Sequence, residues 1–132
     1  MSLLIGLHIQ ERLSRNPSVT TKVADRIYPI VARQGSPSYP FIIFDTSVGG
    51  GETSKDGELD ESASVNVAIF SKSYGEAIHL ANAVKKDLQN SEAEYSEFEV
   101  EESRFLRSEE DYDDDLSAYI INLNFEFITV EL

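Results

Sequence analysis

The sequence predicts an α+β domain: a four-stranded antiparallel sheet with helices packed on one face and a long projecting hairpin. Residues 63–69 and 119–127 alternate apolar and polar groups at period two, the pattern of strands with one buried face. Leu3 to Leu13 and Ala77 to Leu88 repeat apolar groups at three- and four-residue spacing, the pattern of helices with one buried stripe. Between the first two strand-like runs, a Gly-Gly-Gly triplet and an Asp-Gly pair mark a hairpin tip.

Each element follows from local chemistry. Leu3, Leu4, Leu7 and Leu13, with Ile5 and Ile9 beside them, form a wide helical stripe that stops before Pro17. A short second helix is expected over residues 18–24, with Ser18 near its N-cap and Val19 and Val23 facing inward. Ala24 to Pro29 then reads as a corner that ends this helix and starts a strand, because Pro29 drives Tyr28 into an extended conformation. Tyr39-Pro40 is the second corner, since a first strand residue need not donate to a ladder. Phe41 to Val48, rich in aromatic and branched groups, is the first strand.

After the hairpin, Ala63, Val65, Val67 and Ile69 point one way while Ser62, Ser64, Asn66 and Ala68 point the other. Ser73 caps the next helix, with Glu76 completing a capping box, and Ala77, Leu80, Ala81, Val84 and Leu88 line its buried stripe. Phe98, Val100 and Phe105 suggest a third strand among acidic residues. In the last strand Tyr119, Ile121, Leu123, Phe125 and Phe127 alternate with Ile120, Asn122, Asn124 and Glu126. No repeat or linker divides the chain, so residues 1–132 are expected to form one domain.

Composition narrows the function. A hydrophobic content of 41% supports one ordinary core. With no cysteine, disulfides and thiolate metal sites are excluded. No apolar run reaches the ~18 residues needed to span a bilayer, so a soluble protein without membrane contact is expected. The net charge of −13 opposes nucleic-acid binding, which requires basic surface. Residues 91–115 hold twelve carboxylates against Arg104 and Arg107, which is −10 of that total. Such a block repels itself and should be solvated, in loops or on an outward strand face.

Reactive chemistry is sparse. His8 and His79 are the only imidazoles, each inside an apolar-periodic helix without a recognisable nucleophile or acid, and both read as packed or surface side chains. Gly49 to Lys55 lacks the glycine and lysine order of a phosphate loop and lies between strands, not before a helix. Asp111-Tyr112-Asp113-Asp114-Asp115 begins like a calcium loop, but Leu116 stands where the turn wants glycine and Asn122 where a bidentate glutamate belongs. No catalytic residue, cofactor or metal site is assigned, and the chain is expected to be no enzyme.

Several stretches together resemble the phage tail-terminator, or tail-completion, family. They are Asp25-Arg26-Ile27-Tyr28-Pro29, Pro40-Phe41-Ile42, Gly57, and the strand-to-helix junction Val65-x-Val67-x-Ile69-Phe70-Ser71-Lys72-Ser73-Tyr74-Gly75-Glu76-Ala77. The resemblance covers roughly residues 18–131, and the Leu3–Arg15 helix also matches the family's opening segment; the acidic 91–115 block is denser than the family leads one to expect. The resemblance implies a non-enzymatic ring protein, usually a hexamer, that caps the tail tube, ends its polymerisation and mediates head–tail joining. Its implied partners are further copies of itself, the tail-tube protein and a head-completion or connector protein. Its implied location is the virion tail, with host cytoplasm during assembly.

Two surfaces are candidates for contacts. The hairpin residues Gly49, Gly50, Gly51, Glu52, Thr53, Ser54, Lys55, Asp56 and Gly57 are expected to touch a neighbouring subunit or the tube. Glu109, Glu110, Asp111, Asp113, Asp114 and Asp115 are expected to line an acidic lumen or meet a basic partner. Two other classes stand beside this one. An acidic nucleic-acid mimic would space carboxylates like phosphates along one face, and a small ligand-binding α+β domain would show convergent polar groups in an apolar cavity.

Overall fold

In the computed structural model, which describes residues 3–32, 37–49 and 61–132, three helices pack over one face of a mixed sheet. The order is α1 (Ile5–Ser14), α2 (Pro17–Val23), β1 (Ile27–Pro29), β2 (Phe41–Val48), β3 (Glu61–Ser71), α3 (Tyr74–Leu88), β4 (Ala93–Glu94), β5 (Phe98–Asp113) and β6 (Ala118–Glu131). Across the sheet the strands run β1-β2-β3-β6-β5-β4, with β1 parallel to β2 and the other pairs antiparallel. The expectation of four antiparallel strands is therefore corrected to six in a mixed sheet. The Ile27–Pro29 corner and the Ala93–Glu94 segment are both short edge strands. At three and two residues they are too brief to show any periodicity.

Register decides which face is covered. Ile42, Phe44, Val65, Val67, Ile69, Ile121, Leu123, Phe125 and Phe127 stand opposite one another across the β2, β3 and β6 ladders and so share a side. All belong to one core with Ile5, Ile9 and Leu13 of α1, Val19 and Val23 of α2, and Ala77, Leu80, Val84 and Leu88 of α3. The intervening residues face away from the helices.

Helix ends differ in detail from expectation. The N-cap of α2 is Asn16, whose side-chain oxygen accepts from the Ser18 amide at 2.9 Å, because Pro17 serves as the first helical residue. On α3, Ser73 accepts from the Glu76 amide at 3.4 Å, but Glu76 does not reach back directly. Its carboxylate accepts from the Ser71 hydroxyl at 2.9 Å, and that oxygen accepts from the Ser73 amide at 3.1 Å. The box closes through a third side chain. The buried side of α1 is narrower than its sequence stripe: Ile5, His8, Ile9 and Leu13 face in, while Leu3 and Leu7 stand 75% and 61% exposed.

Candidate assembly surfaces

Among the described residues no helix covers the other face of the sheet, although Phe41 and Ala68 on it are buried. At the start of β2, Phe41 stacks on Phe70 with centroids 4.6 Å and planes 7° apart, and Tyr39 packs at 5.0 Å. Lys72 lies over the Tyr39 ring at 4.5 Å and donates to the Leu116 carbonyl, so the β5–β6 turn rims this aromatic group. A shallow depression of about 510 Å³ lies over Phe41, Ile43 and Phe70. Further along, the same face turns polar. Asp45, Asn66, Asn124 and Arg107 form one cross-strand row, and Ser47, Ser64, Glu126 and Arg104 form the next.

The outer edge of β5 is the second surface. The short β4 pairs only with Glu99 and Val100, so from Glu101 to Asp113 no strand among the described residues lies outside β5. Seven carboxylates and two arginines occupy residues 98–113. Arg104 pairs with Glu102 at 3.2 Å and Glu126 at 3.5 Å, and Arg107 with Glu109 at 3.3 Å, which leaves the edge acidic. Two register shifts make Glu101 and Leu106 the extra residues of bulges, and Leu106 stands 55% exposed.

The opposite edge is built on β1, with Lys22, Asp25 and Arg26 just before it in the chain. Arg12 is drawn away to Asp87 at 2.9 Å. Arg26 donates to the carbonyls of Pro40 at 3.1 Å and Lys22 at 3.2 Å, so its hydrogen bonds do not neutralise its charge. Lys22 is exposed, whereas Arg15, paired with Glu11 at 2.7 Å, lies toward Tyr95 and not at this edge. Just past β1, Ile30 and Val31 project into solvent at 77% and 51% exposure, and Ile30 holds a positive φ of 70°.

Beneath α1 lies a buried polar knot. The His8 ring meets the Tyr95 hydroxyl through Nδ1 at 2.7 Å and the Ser91 hydroxyl through Nε2 at 3.1 Å. Ser91 donates to the Leu88 carbonyl at 2.9 Å, so it accepts from His8, which assigns the ring proton to Nε2. Burial first, and then the Arg12 charge, lower the His8 pKa to about 4, so the ring is neutral at pH 7. Burial raises the Tyr95 pKa to about 12. The knot ties α1 to the segment after α3 and offers no approach to substrate. Among the described residues, no three histidine, aspartate or glutamate side chains converge as for a metal ion, and no helix is long and apolar enough to cross a membrane.

A family model described as tail completion protein gp17 matches residues 8–130. The chain belongs to this tail-completion family. Its members are structural tail proteins, and the sequence resemblance pointed to the same group. A solved chain from the virion of a native gene transfer agent particle shares the fold, with a TM-score of 0.79 at 16% identity over 94% of this chain and 92% of that one. No curated protein sequence matches the chain significantly.

Within this tail-completion protein the predicted contact residues fall in separate places. Gly49 follows β2, exposed and with nothing within 4 Å of an added Cβ, while Gly50, Gly51, Glu52, Thr53, Ser54, Lys55, Asp56 and Gly57 lie outside the described residues. Glu109, Asp111 and Asp113 stand on the open face of β5. Glu110 points to the helix side, where it accepts from the Tyr74 hydroxyl at 2.5 and 3.0 Å and raises that phenol's pKa. Asp114 and Asp115 sit in the turn before β6. The acids are thus split between two faces and a turn. Sequence reading missed Leu106, Ile30 and Val31. For Leu106 the one signal was the uneven spacing of Phe98, Val100 and Phe105, which a bulged strand explains; nothing in the sequence marked Ile30 and Val31.

Proposed function

We propose that copies of this chain close into a ring, a hexamer, that caps the head-proximal end of a tail tube, stops its growth and receives a head-completion protein. The observation that carries the reading is family membership over residues 8–130, joined to a fold that, among the described residues, leaves part of one sheet face and most of the outer side of β5 uncovered. An unpaired strand edge of this length is a ready surface for another chain. The hairpin at Gly49–Gly57 is a second contact with the tube or a neighbouring subunit. The protein resides in the virion tail after assembling in host cytoplasm.

The experiment mixes purified chain with its cognate tail-tube protein during polymerisation and images the products by electron microscopy. Short tubes bearing a ring at one end are the expected result. Tubes that grow to the same length distribution with and without the chain, and carry no cap, would refute the proposal.

A further inference from the structure

β5 runs past the segments that shield its outer side. β4 covers Glu99 and Val100, and the Asn90 amide donates to the Ser103 carbonyl at 3.3 Å. From Arg107 to Asp113 the strand keeps an unbroken register with β6 on its inner side, and no described strand lies on the other. Alternate residues of such a run turn their N–H and C=O groups outward, where another extended chain can pair with them. Residues 107–115 hold six carboxylates against Arg107 alone. Charge on an edge keeps like chains apart, and the same charge selects a strand of opposite sign.

The helix side of this run adds an independent feature. Tyr119 of β6 lies between Tyr74 of α3 and Tyr112 of β5, with centroids 5.5 and 5.0 Å away and planes inclined at 66° and 68°. Tyr74 and Tyr112 are exposed, and the Tyr74 hydroxyl holds the Glu110 carboxylate beside them. Nearer the core, Phe105 on the same side of β5 carries the Lys85 ammonium at 4.7 Å. The tyrosine group has no such cation among the described residues. Exposed aromatic rings beside a carboxylate are the chemistry that takes up an ammonium or guanidinium.

We infer that β5 from Arg107 to Asp113 pairs with an extended cationic segment of another protein as an added strand, and that one lysine or arginine of that segment seats on the Tyr74–Tyr119–Tyr112 group beside Glu110. On the open face, Glu109 and Asp111 then meet further cations across the new ladder. The site goes beyond the ring reading, since a single copy presents all of it. The β5 strand of a second copy is a poor occupant, because it sets carboxylates against carboxylates.

The test titrates the whole chain with a synthetic ten-residue peptide of alternating arginine and threonine. Its control has the same sequence methylated at every backbone nitrogen, which keeps the charge and removes the ladder donors. Calorimetry reads affinity, and amide hydrogen exchange reads the edge. The unmodified peptide is expected to bind, less tightly as salt rises, and to slow exchange within residues 107–113. The methylated peptide should bind roughly tenfold more weakly and give no such protection. In chains with native circular dichroism, Glu109→Lys with Asp111→Lys should lose about tenfold in affinity and Tyr112→Leu about threefold. Two peptides that bind equally, or exchange that the peptide leaves unchanged, would overturn the inference and leave the acids a purely repulsive edge. Tyr112→Leu binding as tightly as wild type would overturn the cation seat. Protection of residues 107–113 that rises with protein concentration alone would give the edge to a second copy, which also overturns the inference. The ring reading is judged on tail tubes and the added strand on a peptide, so one can fail without the other.

Discussion

β3 and β5 are built from the same alternation but end in opposite circumstances. β3, 11 residues long, has a neighbour on each side and sends Ala63, Val65, Val67 and Ile69 into a core closed by the helices. β5, 16 residues long, has β6 along one side and only the two-residue β4 on the other, and buries only Phe98, Val100 and Ser103. Past Phe105 its helix-side positions are Ser108, Glu110 and Tyr112, all exposed. β3 is held by burial along its length, whereas the part of β5 beyond Phe105 is held chiefly by its ladder to β6. A strand that outruns its own core has length available for another molecule, which is why the two regions should respond oppositely to mutation.

The sharpest contrast comes from the covered face. Phe125 is fully buried beside Phe105 and Phe127. Phe125→Ala is expected to cost about 3–5 kcal/mol in urea unfolding, from lost transfer energy and a residual cavity. A loss below about 1 kcal/mol would show that the core is not what holds this half together.

Next in size is acid. His8 is neutral in the fold with a pKa near 4, against 6.5 when unfolded. The unfolded chain therefore binds the proton first, and stability falls as pH drops from about 6.5 toward 4. The loss is about 2–3 kcal/mol, an upper range because protonating the many carboxylates relieves repulsion over the same interval. His8→Gln should flatten this slope in melts recorded from pH 7 to pH 4. An unchanged slope would show that His8 does not set the acid sensitivity.

Smaller changes probe the ends of the covered half. Asn16→Ala removes the α2 cap and is expected to lower stability by about 1 kcal/mol in thermal unfolding. Ile30→Asn should raise it by about 1 kcal/mol, since a branched residue at positive φ is strained and its side chain gains little from burial. A loss of stability in Ile30→Asn would mean that the side chain packs within its own subunit. The smallest effect on folding is expected at the open edge: Leu106→Ser should change stability by less than about 0.5 kcal/mol while weakening association in light scattering. A cost comparable to Phe125→Ala would erase the distinction between the two strands.

Much of this division was legible beforehand where one residue pattern implied one environment. The α3 stripe, the β3 and β6 alternations and the Phe41–Val48 strand all appear as read, because a half-buried strand or helix must repeat its apolar groups at its own geometric period. Asn16 was passed over for Ser18 because both are good caps, and only the placement of Pro17 as the first helical residue decides between them. Leu7 and Ile9 looked equivalent, yet the direction in which α1 crosses the sheet buries one and exposes the other.

By itself the sequence determined the α+β class, the inward faces of α3, β3 and β6, the acidity of the 91–115 block and the family. Those depend on periodicity and composition, which are local. Tertiary structure alone decided that the sheet has six strands, that β1 joins it in parallel, and that the acids of β5 divide between its two faces. These depend on which strands become neighbours, and long-range pairing is settled by the closing of the whole core.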